Sequence, residues 1–275
     1  QHGGYYGYIS DMHQAVEYEY MLSDIFISWG WDELPKYKRF KDLKVVKLPS
    51  PWLSERKKYW KKVVPSFSSR KQYDVLYMPG GNVRFPRSLR GSSGPRIDLI
   101  HKMSLEIKDA VKSLVENDIK VLLKPYNYQS MVLMSNMFSS LSKKYDEKKY
   151  KVIKKIDKGF DEELLKHSNL ILWNQPGTGF LECISAQIPT MVFWTRLSTE
   201  EEGWARDIFE KLEKVGIVHS NTTTLVKEIK IFKKYPKKWV SDPERVSTIN
   251  EFCFQYARTD KNWEKKWKDF FLSIN

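Results

Sequence analysis

The stretch Leu170 to Trp194, LILWNQPGTGFLECISAQIPTMVFW, reads as strand, tight loop, helix and strand. Leu170 to Trp173 is a short apolar run of the kind a parallel strand buried on both faces requires. Asn174-Gln175-Pro176-Gly177-Thr178-Gly179 then sets turn residues at nearly every position and breaks the run. A helix is expected from about Phe180 to Ala186, and the chain re-enters through Ile188-Pro189 into the apolar run Met191 to Trp194.

The chemistry of this stretch lies in its loop. A strand that feeds a helix through a glycine-rich turn leaves N–H groups unpaired at the helix N-terminus. With the positive end of the helix dipole, these suit an anion such as phosphate. Thr178 is placed to cap that helix and to bond a phosphate oxygen, and Gly177 and Gly179 let the backbone come close. Glu182 lies one turn in, where it can accept hydrogen bonds from ribose hydroxyls. The spacing is neither G-x-G-x-x-G nor a P-loop, since no Lys-Ser/Thr follows, and an ordinary βα turn with a capped helix reads this stretch equally well.

Working outward, strands alternate with helices from Asp74 onward, which argues for a doubly wound, Rossmann-like parallel sheet. Asp74 to Met78 is a strand, followed by a long loop to Pro95. That loop carries Arg84, Arg87 and Arg90, which can hold phosphate or carboxylate groups bidentately or can simply form a basic surface loop. Arg96 to Asn117 has the longest amphipathic period. Lys120 to Leu123 is a strand with Lys124-Pro125-Tyr126 at its carboxyl end, where open α/β sheets bind ligands. Ser130 to Lys144 is expected as one helix whose Met131, Met134 and Met137 face is core. Lys151 to Ile156 reads as an edge strand. Thr199-Glu200-Glu201-Glu202 has the signature of a helix start, with the helix running to Val215. Asn221 and Asp242 are expected to open the helices that follow.

Ahead of the sheet, Gln1 to Tyr8 (QHGGYYGY) is a loop rich in glycine and tyrosine. His2, next to its glycines, is a candidate general base or proton donor. A helix from His13 to Ser23 carries Glu17 and Glu19, and Asp24 to Trp31 and Leu43 to Leu48 read as strands. Glu55 to Val64 is a basic helix, and Pro65 to Arg70 a linker. At the far end, Trp263, Trp267, Phe270, Phe271 and Ile274 fall on one stripe among lysines. That helix either packs back on the first domain or lies on a membrane surface.

With 275 residues, 41% of them apolar and 14% aromatic, the chain folds with a full core. No apolar run approaches the roughly 20 residues of a membrane span, and the opening residues have no apolar signal segment. The expected setting is therefore cytoplasmic, with the inner face of the membrane as the one peripheral alternative. The chain starts inside a motif without Met, which suggests a truncated N-terminal part. Cys183 and Cys253 lack C-x-x-C spacing and read as free thiols. No H-E-x-x-H and no D-x-D near the loop is present, so no metal and no cofactor is expected. The formal charge of +13 suits an anionic partner. The lysines are dispersed and no nucleic-acid module is recognisable, which leaves nucleic acid aside.

Three landmarks in order then bring a resemblance. They are QHGGYYG at Gln1 to Gly7 with YEYMLSDIFISWGW at Tyr18 to Trp31, LLKPY at Leu122 to Tyr126, and NQPGTGFLECISAQIPTMVFW at Asn174 to Trp194. Together they resemble a family of transferases of bacterial surface-polysaccharide gene clusters with a QHGG-x-YG signature. That family looks like a GT-B glycosyltransferase and is similar to the retaining β-Kdo transferases. The layout is also similar to the glycerophosphotransferases of teichoic acid synthesis. The resemblance is strong up to Trp194 and thin after it.

The resemblance implies a division into the tail of an acceptor domain (residues 1–65), a nucleotide-sugar donor domain (70–257) and a C-terminal helix (258–275) that packs back on the first. It implies His2 at the catalytic cleft with Glu19 supporting its loop. It places Lys124 toward the donor's phosphate or sugar carboxylate, Gly177, Thr178 and Gly179 on the nucleotide phosphate, and Glu182 on the ribose. The implied donor is a nucleotide sugar, CMP-Kdo or a related CMP-ulosonic acid first, and the implied acceptor a glycan or lipid-linked glycan of lipopolysaccharide or another surface polysaccharide. Position 124 is Lys where many relatives have Arg, which loses the bidentate fork. Gln175-Pro176-Gly177 replaces a Ser-Thr run. In the similar Kdo transferases the acidic residue thought to attack the donor lies upstream of QHGG, so this chain can be inactive alone. The alternatives are a non-catalytic nucleotide- or glycan-binding module and a polyol-phosphate transferase.

Overall fold

The computed structural model describes residues 1–10, 14–34, 40, 42–63, 71–80, 97–154, 159–197 and 199–274. The 65–70 linker and Arg84, Arg87 and Arg90 lie outside these residues. In chain order the elements are α1 (Gln14–Met21), β1 (Ile25–Ser28), β2 (Lys44–Lys47), α2 (Pro51–Val63), β3 (Val75–Met78), α3 (Ile97–Glu116), β4 (Val121–Leu123), α4 (Tyr128–Leu133), α5 (Ser135–Lys144), β5 (Tyr150–Val152), α6 (Glu162–Leu165), β6 (Leu170–Trp173), α7 (Thr178–Ser185), β7 (Thr190–Phe193), α8 (Arg206–Lys214), β8 (Val218–His219), α9 (Thr222–Lys234), α10 (Pro236–Val240), α11 (Pro243–Tyr256) and α12 (Trp263–Ser273).

Six strands form one sheet in the order β5-β4-β3-β6-β7-β8, and β1 pairs with β2 in a second, two-stranded sheet. Every pair is parallel. The chain begins the large sheet at β3, steps outward to β4 and β5, returns to β6 on the other side of β3, and steps outward again. This is the doubly wound order, and it puts a topological switch point between β3 and β6.

The apolar runs of the central strands follow from this position, because each strand is covered on both faces. Val75 and Tyr77 of β3 and Leu170 and Leu172 of β6 pack with Ile107, Val111 and Leu114 of α3 on one side. The alternate residues Leu76, Met78 and Ile171 pack with Trp60 of α2, Leu164 and Leu165 of α6 and Cys183 of α7 on the other. β5 is an edge strand, and Asn221 and Asp242 cap α9 and α11 through their side chains, as the sequence indicates.

Two expectations change. The helix from Ser130 to Lys144 is in fact two, starting earlier at Tyr128 under an Asn127 cap and breaking at Met134. Met134 is 1% exposed, so the break sits on a side chain anchored in the core. The acidic segment at Thr199 to Glu202 does not start a helix: a short 3-10 turn spans Gly203–Ala205, and α8 begins only at Arg206. The segment pairs instead with the N-terminal loop. Ile9 bridges Glu201 in antiparallel fashion, Ser10 N–H donates to the Glu200 carbonyl, and Glu202 N–H donates to the Tyr8 carbonyl. Arg196, at φ 60°, holds Glu201 from below through its Nε at 2.7 Å. Tertiary hydrogen bonds thus override a good local cap signal.

The last helix leans on α2. Trp263 Nε1–H donates to Glu55 Oε1 at 3.0 Å and Trp267 Nε1–H to the Pro49 carbonyl at 2.9 Å, although α12 has no fully buried residue. Among the described residues, no helix is long and apolar enough to cross a membrane.

Candidate functional site

The carboxyl ends of β3 and β6 meet at the switch point. Asn174, the first residue after β6, is 6% exposed, and its Oδ1 accepts the Gly80 N–H from the end of β3 at 2.5 Å. One bond therefore ties the two loops that flank the crevice. The turn then delivers the chain to α7, where Gly177 is the cap residue and supplies no side chain; Thr178 is the first helical residue and not its cap. Gly179 lies against Trp173, and a Cβ there would stand 2.3 Å from the indole ring, so only glycine lets the helix start this close to the strand.

The hydroxyl of Thr178 is used by a segment more than a hundred residues away in sequence. It accepts the Gly4 N–H at 2.8 Å. A Cβ on Gly4 would come within 2.6 Å of the Thr178 nitrogen and 2.7 Å of the Gly177 carbonyl carbon, a backbone contact that cannot yield. Tyr8, fully buried, donates from its hydroxyl to the Pro176 carbonyl at 2.6 Å and accepts from the Tyr5 N–H at 2.7 Å. Tyr5 is left-handed, with φ 75°, a conformation that costs a non-glycine residue on the order of 1 kcal/mol or more and is held by these bonds. The QHGGYYG loop is therefore laid directly over the N-terminus of α7.

The same loop is fixed on its other side by the WGW motif. Gln1 Oε1 accepts from both the Trp29 N–H and the Trp31 Nε1–H, each at 2.9 Å. Next to it, His2, Tyr6 and Glu19 form a cluster. The Tyr6 hydroxyl lies 2.7 Å from His2 Nδ1 and donates to Glu19 Oε2 at 2.9 Å, and His2 Nδ1 is 3.2 Å from Glu19 Oε1. The His2 side chain is 73% exposed, and that of Glu19 is 35% exposed. Tyr6 itself is buried and stacks on Phe26. Burial, and then its hydrogen bond to Glu19, hold its phenol well above the ordinary tyrosine range.

The remaining candidates stand apart from that cluster. Lys124 is buried at the end of β4, and its N–H donates to the Tyr77 carbonyl of β3 at 2.9 Å. Glu182 faces α2: its Oε1 accepts from Arg56 Nε at 2.5 Å and from Trp60 Nε1 at 2.6 Å, and the guanidinium lies over the Trp60 ring at 4.6 Å. Its side chain is only 7% exposed. The structure thus brings His2 and Glu19 together, and Gly177, Thr178 and Gly179 together, with the QHGGYYG loop joining the two groups. Arg84 and Arg87 fall outside the described residues. Among the described residues no cluster of three His, Cys, Asp or Glu side chains is placed to hold a metal ion. Cys183 and Cys253 are both free thiols. Burial pushes Cys253 up to about 12.

Sequence reading missed Tyr6, Tyr8, Asn174 and the Arg56–Trp60 pair. Only the repeated tyrosines of the first loop hinted at the former, since long-range partners leave no local periodicity. It also missed Glu106 of α3, which accepts from the Thr195 hydroxyl just past β7 and which burial pushes above the ordinary carboxylate range.

The model of a family described as LIC12162 family transferase matches residues 1–271. No curated protein matches in sequence. Among solved structures, UDP-GlcNAc 2-epimerase of Methanocaldococcus jannaschii in complex with UDP-GlcNAc and UDP is similar over 76% of this chain and 53% of that one, at 14% identity and a TM-score of 0.41. A second structure of the epimerase from that organism is similar over 76% and 54%, at 13% identity and a TM-score of 0.37. The chain spans about half the length of those enzymes.

Proposed function

The chain belongs to the LIC12162 family of transferases, and from that premise we propose that it is the donor-binding part of a GT-B glycosyltransferase. It moves a sugar from a nucleotide-activated donor to a free or lipid-linked surface glycan. The observation that carries this reading is the position of the Asn174 to Gly179 turn: it opens α7 at the carboxyl end of β6, beside β3, at the switch point of the sheet. That crevice is where doubly wound sheets bind ligands.

In this reading the N–H groups at the start of α7 and the helix dipole receive the donor phosphate, beside the first loop, which closes on Gly177 and Thr178. Thr178 fixes the loop that covers it. Lys124, two strands over from β6, contributes charge from the end of β4. Glu182, held by Arg56 and Trp60, braces the helix that carries these N–H groups. Arg84 and Arg87 serve as further anion-binding residues. His2 takes the proton of the acceptor hydroxyl as the new C–O bond forms. The bond from the anomeric carbon to the donor phosphate breaks, and the phosphate leaves with the electron pair. No step needs a metal. A CMP-linked ulosonic acid is the first donor to try, and the work is done at a cytoplasmic face, on lipopolysaccharide or a related polymer.

The test is calorimetric titration of the chain with CMP, CDP, UDP and GDP, alongside Thr178→Ala. Selective binding of one nucleotide, weakened about tenfold when the Gly4–Thr178 bond is lost, is expected. A folded chain that binds none of the four overturns the donor-site reading.

A further inference from the structure

Two amide side chains follow each other at the switch point and are used differently. Asn174 is 6% exposed and accepts the Gly80 N–H on its Oδ1 at 2.5 Å. Gln175, the next residue, is half-buried. Its amide folds back over the same glycine: a Cβ on Gly80 would stand 2.1 Å from Gln175 Nε2 and 2.9 Å from its Cδ. Among the described residues, that amide has no hydrogen-bond partner. An amide offers one acceptor and two donors, and a half-buried one left unpaired is open to a ligand that can pair it. The missing side chain at position 80 thus lets an unpaired amide lie across the gap from β6 to β3, on the floor of the crevice.

Which part of a ligand meets this amide follows from the two sides of the α7 turn. β6 stands between β3 and β7. The first loop leans to the β7 side: Ile9 bridges Glu201, Trp204 Nε1–H donates to the Gly7 carbonyl at 2.9 Å, and the Tyr8 ring packs on Phe209 of α8 at 5.9 Å. His2 belongs to that loop. Gln175 leans the other way, onto the end of β3. A nucleotide sugar held by its phosphate at the turn has the sugar on one side of that phosphate and the nucleoside on the other. With the sugar toward His2, the nucleoside lies over Gly80 and Gln175. Tyr126, three residues beyond β4 and 64% exposed, supplies an open ring on the same side, of the kind on which a base stacks.

We propose that Gln175 selects the base of the donor nucleotide, and that position 80 is glycine so that the amide can lie where the base arrives. The proposal rests on the donor-site reading above. Cytosine, uracil and guanine each present donors and acceptors in a different order along their edges. A glutamine amide, with an acceptor and a donor side by side, meets one such order with two hydrogen bonds at once. Ribose and phosphate are common to all three nucleotides and offer no such choice.

The test is calorimetric titration of the chain with CMP, UMP and GMP, and again with CDP, UDP and GDP. Within each set only the base differs. The parent chain is expected to favour one base by about tenfold or more. Gln175→Ala should narrow that ratio about tenfold, the scale of one or two hydrogen bonds. Gly80→Ala should narrow it as well with Gln175 still present, because the new Cβ takes the place of the amide. Gly80 lies outside the left-handed region, and its next neighbour, Asn174 Oδ1, is 3.2 Å from that Cβ, so the displaced group is the free end of a flexible side chain. A ratio unchanged in either variant with the parent's melting curve overturns the proposal and leaves the donor site standing. So does a parent that binds all three bases alike, or a loss equal for all three, which belongs to phosphate or ribose. A folded parent that binds none of the six overturns both readings.

Discussion

Two carboxylates of the same chain are held in opposite ways. Glu182 on α7 is almost wholly out of solvent and gives one oxygen to both Arg56 and Trp60 of α2. Glu19 on α1 is a third exposed and shares its oxygens with the hydroxyl of Tyr6 and an imidazole that is itself open to solvent. The first fastens a helix of the sheet's switch point to α2 and so forms a strut. The second spends its charge on a ring that faces the outside. Removing one partner of a buried pair strands a charge in a low dielectric, whereas breaking an exposed pair hands both partners back to water. The same residue type therefore should cost stability at one site and chemistry at the other.

The largest effect tests the strut. Glu182→Ala leaves the Arg56 guanidinium, whose side chain is 22% exposed, without its counter-charge, and the buried Trp60 N–H without an acceptor. A loss of about 3–5 kcal/mol in a urea unfolding titration is expected. The double change Arg56→Met with Glu182→Leu should recover most of it, because no charge is then left buried. If the single change costs less than about 1 kcal/mol, the two carboxylates are not different in kind and the contrast fails.

A buried titrating group sharpens the contrast with a pH axis. His219, at the end of β8, is 4% exposed and is bonded to the Gly216 carbonyl at 3.1 Å and to the Thr224 hydroxyl at 3.2 Å. Burial lowers it from 6.5 to about 4. Its folded value is below its unfolded one, so between the two the unfolded chain binds the proton and the folded chain does not. The stability that comes from keeping the ring neutral is complete above 6.5 and is lost as the pH falls toward about 4. Over that window the loss is on the order of 3 kcal/mol. Urea midpoints measured from pH 7 downward should fall more steeply for the parent chain than for His219→Asn. Equal slopes would remove His219 from the buried class.

The parts of the molecule that the sequence displays are those whose cause is local. The apolar runs of β3, β6 and β7 follow from burial on both faces. The Asn221 and Asp242 caps need only the next three residues. The Asn174 to Gly179 turn declares itself by its composition. What the sequence hides is set by partners far along the chain. Thr199-Glu200-Glu201-Glu202 has the composition of a helix start, yet Tyr8, Ile9 and Ser10 pair with its backbone and hold it extended. Thr178 looks like a cap, yet its hydroxyl receives Gly4 and the cap is Gly177. Glu182 has the spacing of a ligand contact, and nothing near it in sequence announces Arg56 and Trp60. His2 stood out by its glycine neighbours, but its pairing with Glu19 was legible only through the resemblance of the QHGG and WGW motifs. The tyrosine between them was not, because its meaning depends on α1 folding back over the first loop.

The smallest effect on stability is the one that separates the two regions most cleanly. Glu19→Gln keeps an oxygen for the Tyr6 hydroxyl and gives up only the charge. His2→Ala removes a side chain that is 73% exposed. Each should cost less than about 1 kcal/mol, as exposed ion pairs do, with the unfolding slope unchanged. Should the nucleotide titration identify a donor, its transfer to a glycan acceptor should fall about 10²–10⁴-fold in His2→Ala, the range that loss of a general base covers. The donor's affinity should stay within a few-fold, because the proposed phosphate site lies at α7 and not at α1. Glu182→Ala should reverse that order, with folding lost before any effect on turnover can be read. If instead His2→Ala and Glu19→Gln melt with Glu182→Ala, the His2 cluster is a second strut, and the base has to be sought elsewhere along the crevice, with Glu106 beside Thr195 the next carboxylate to change.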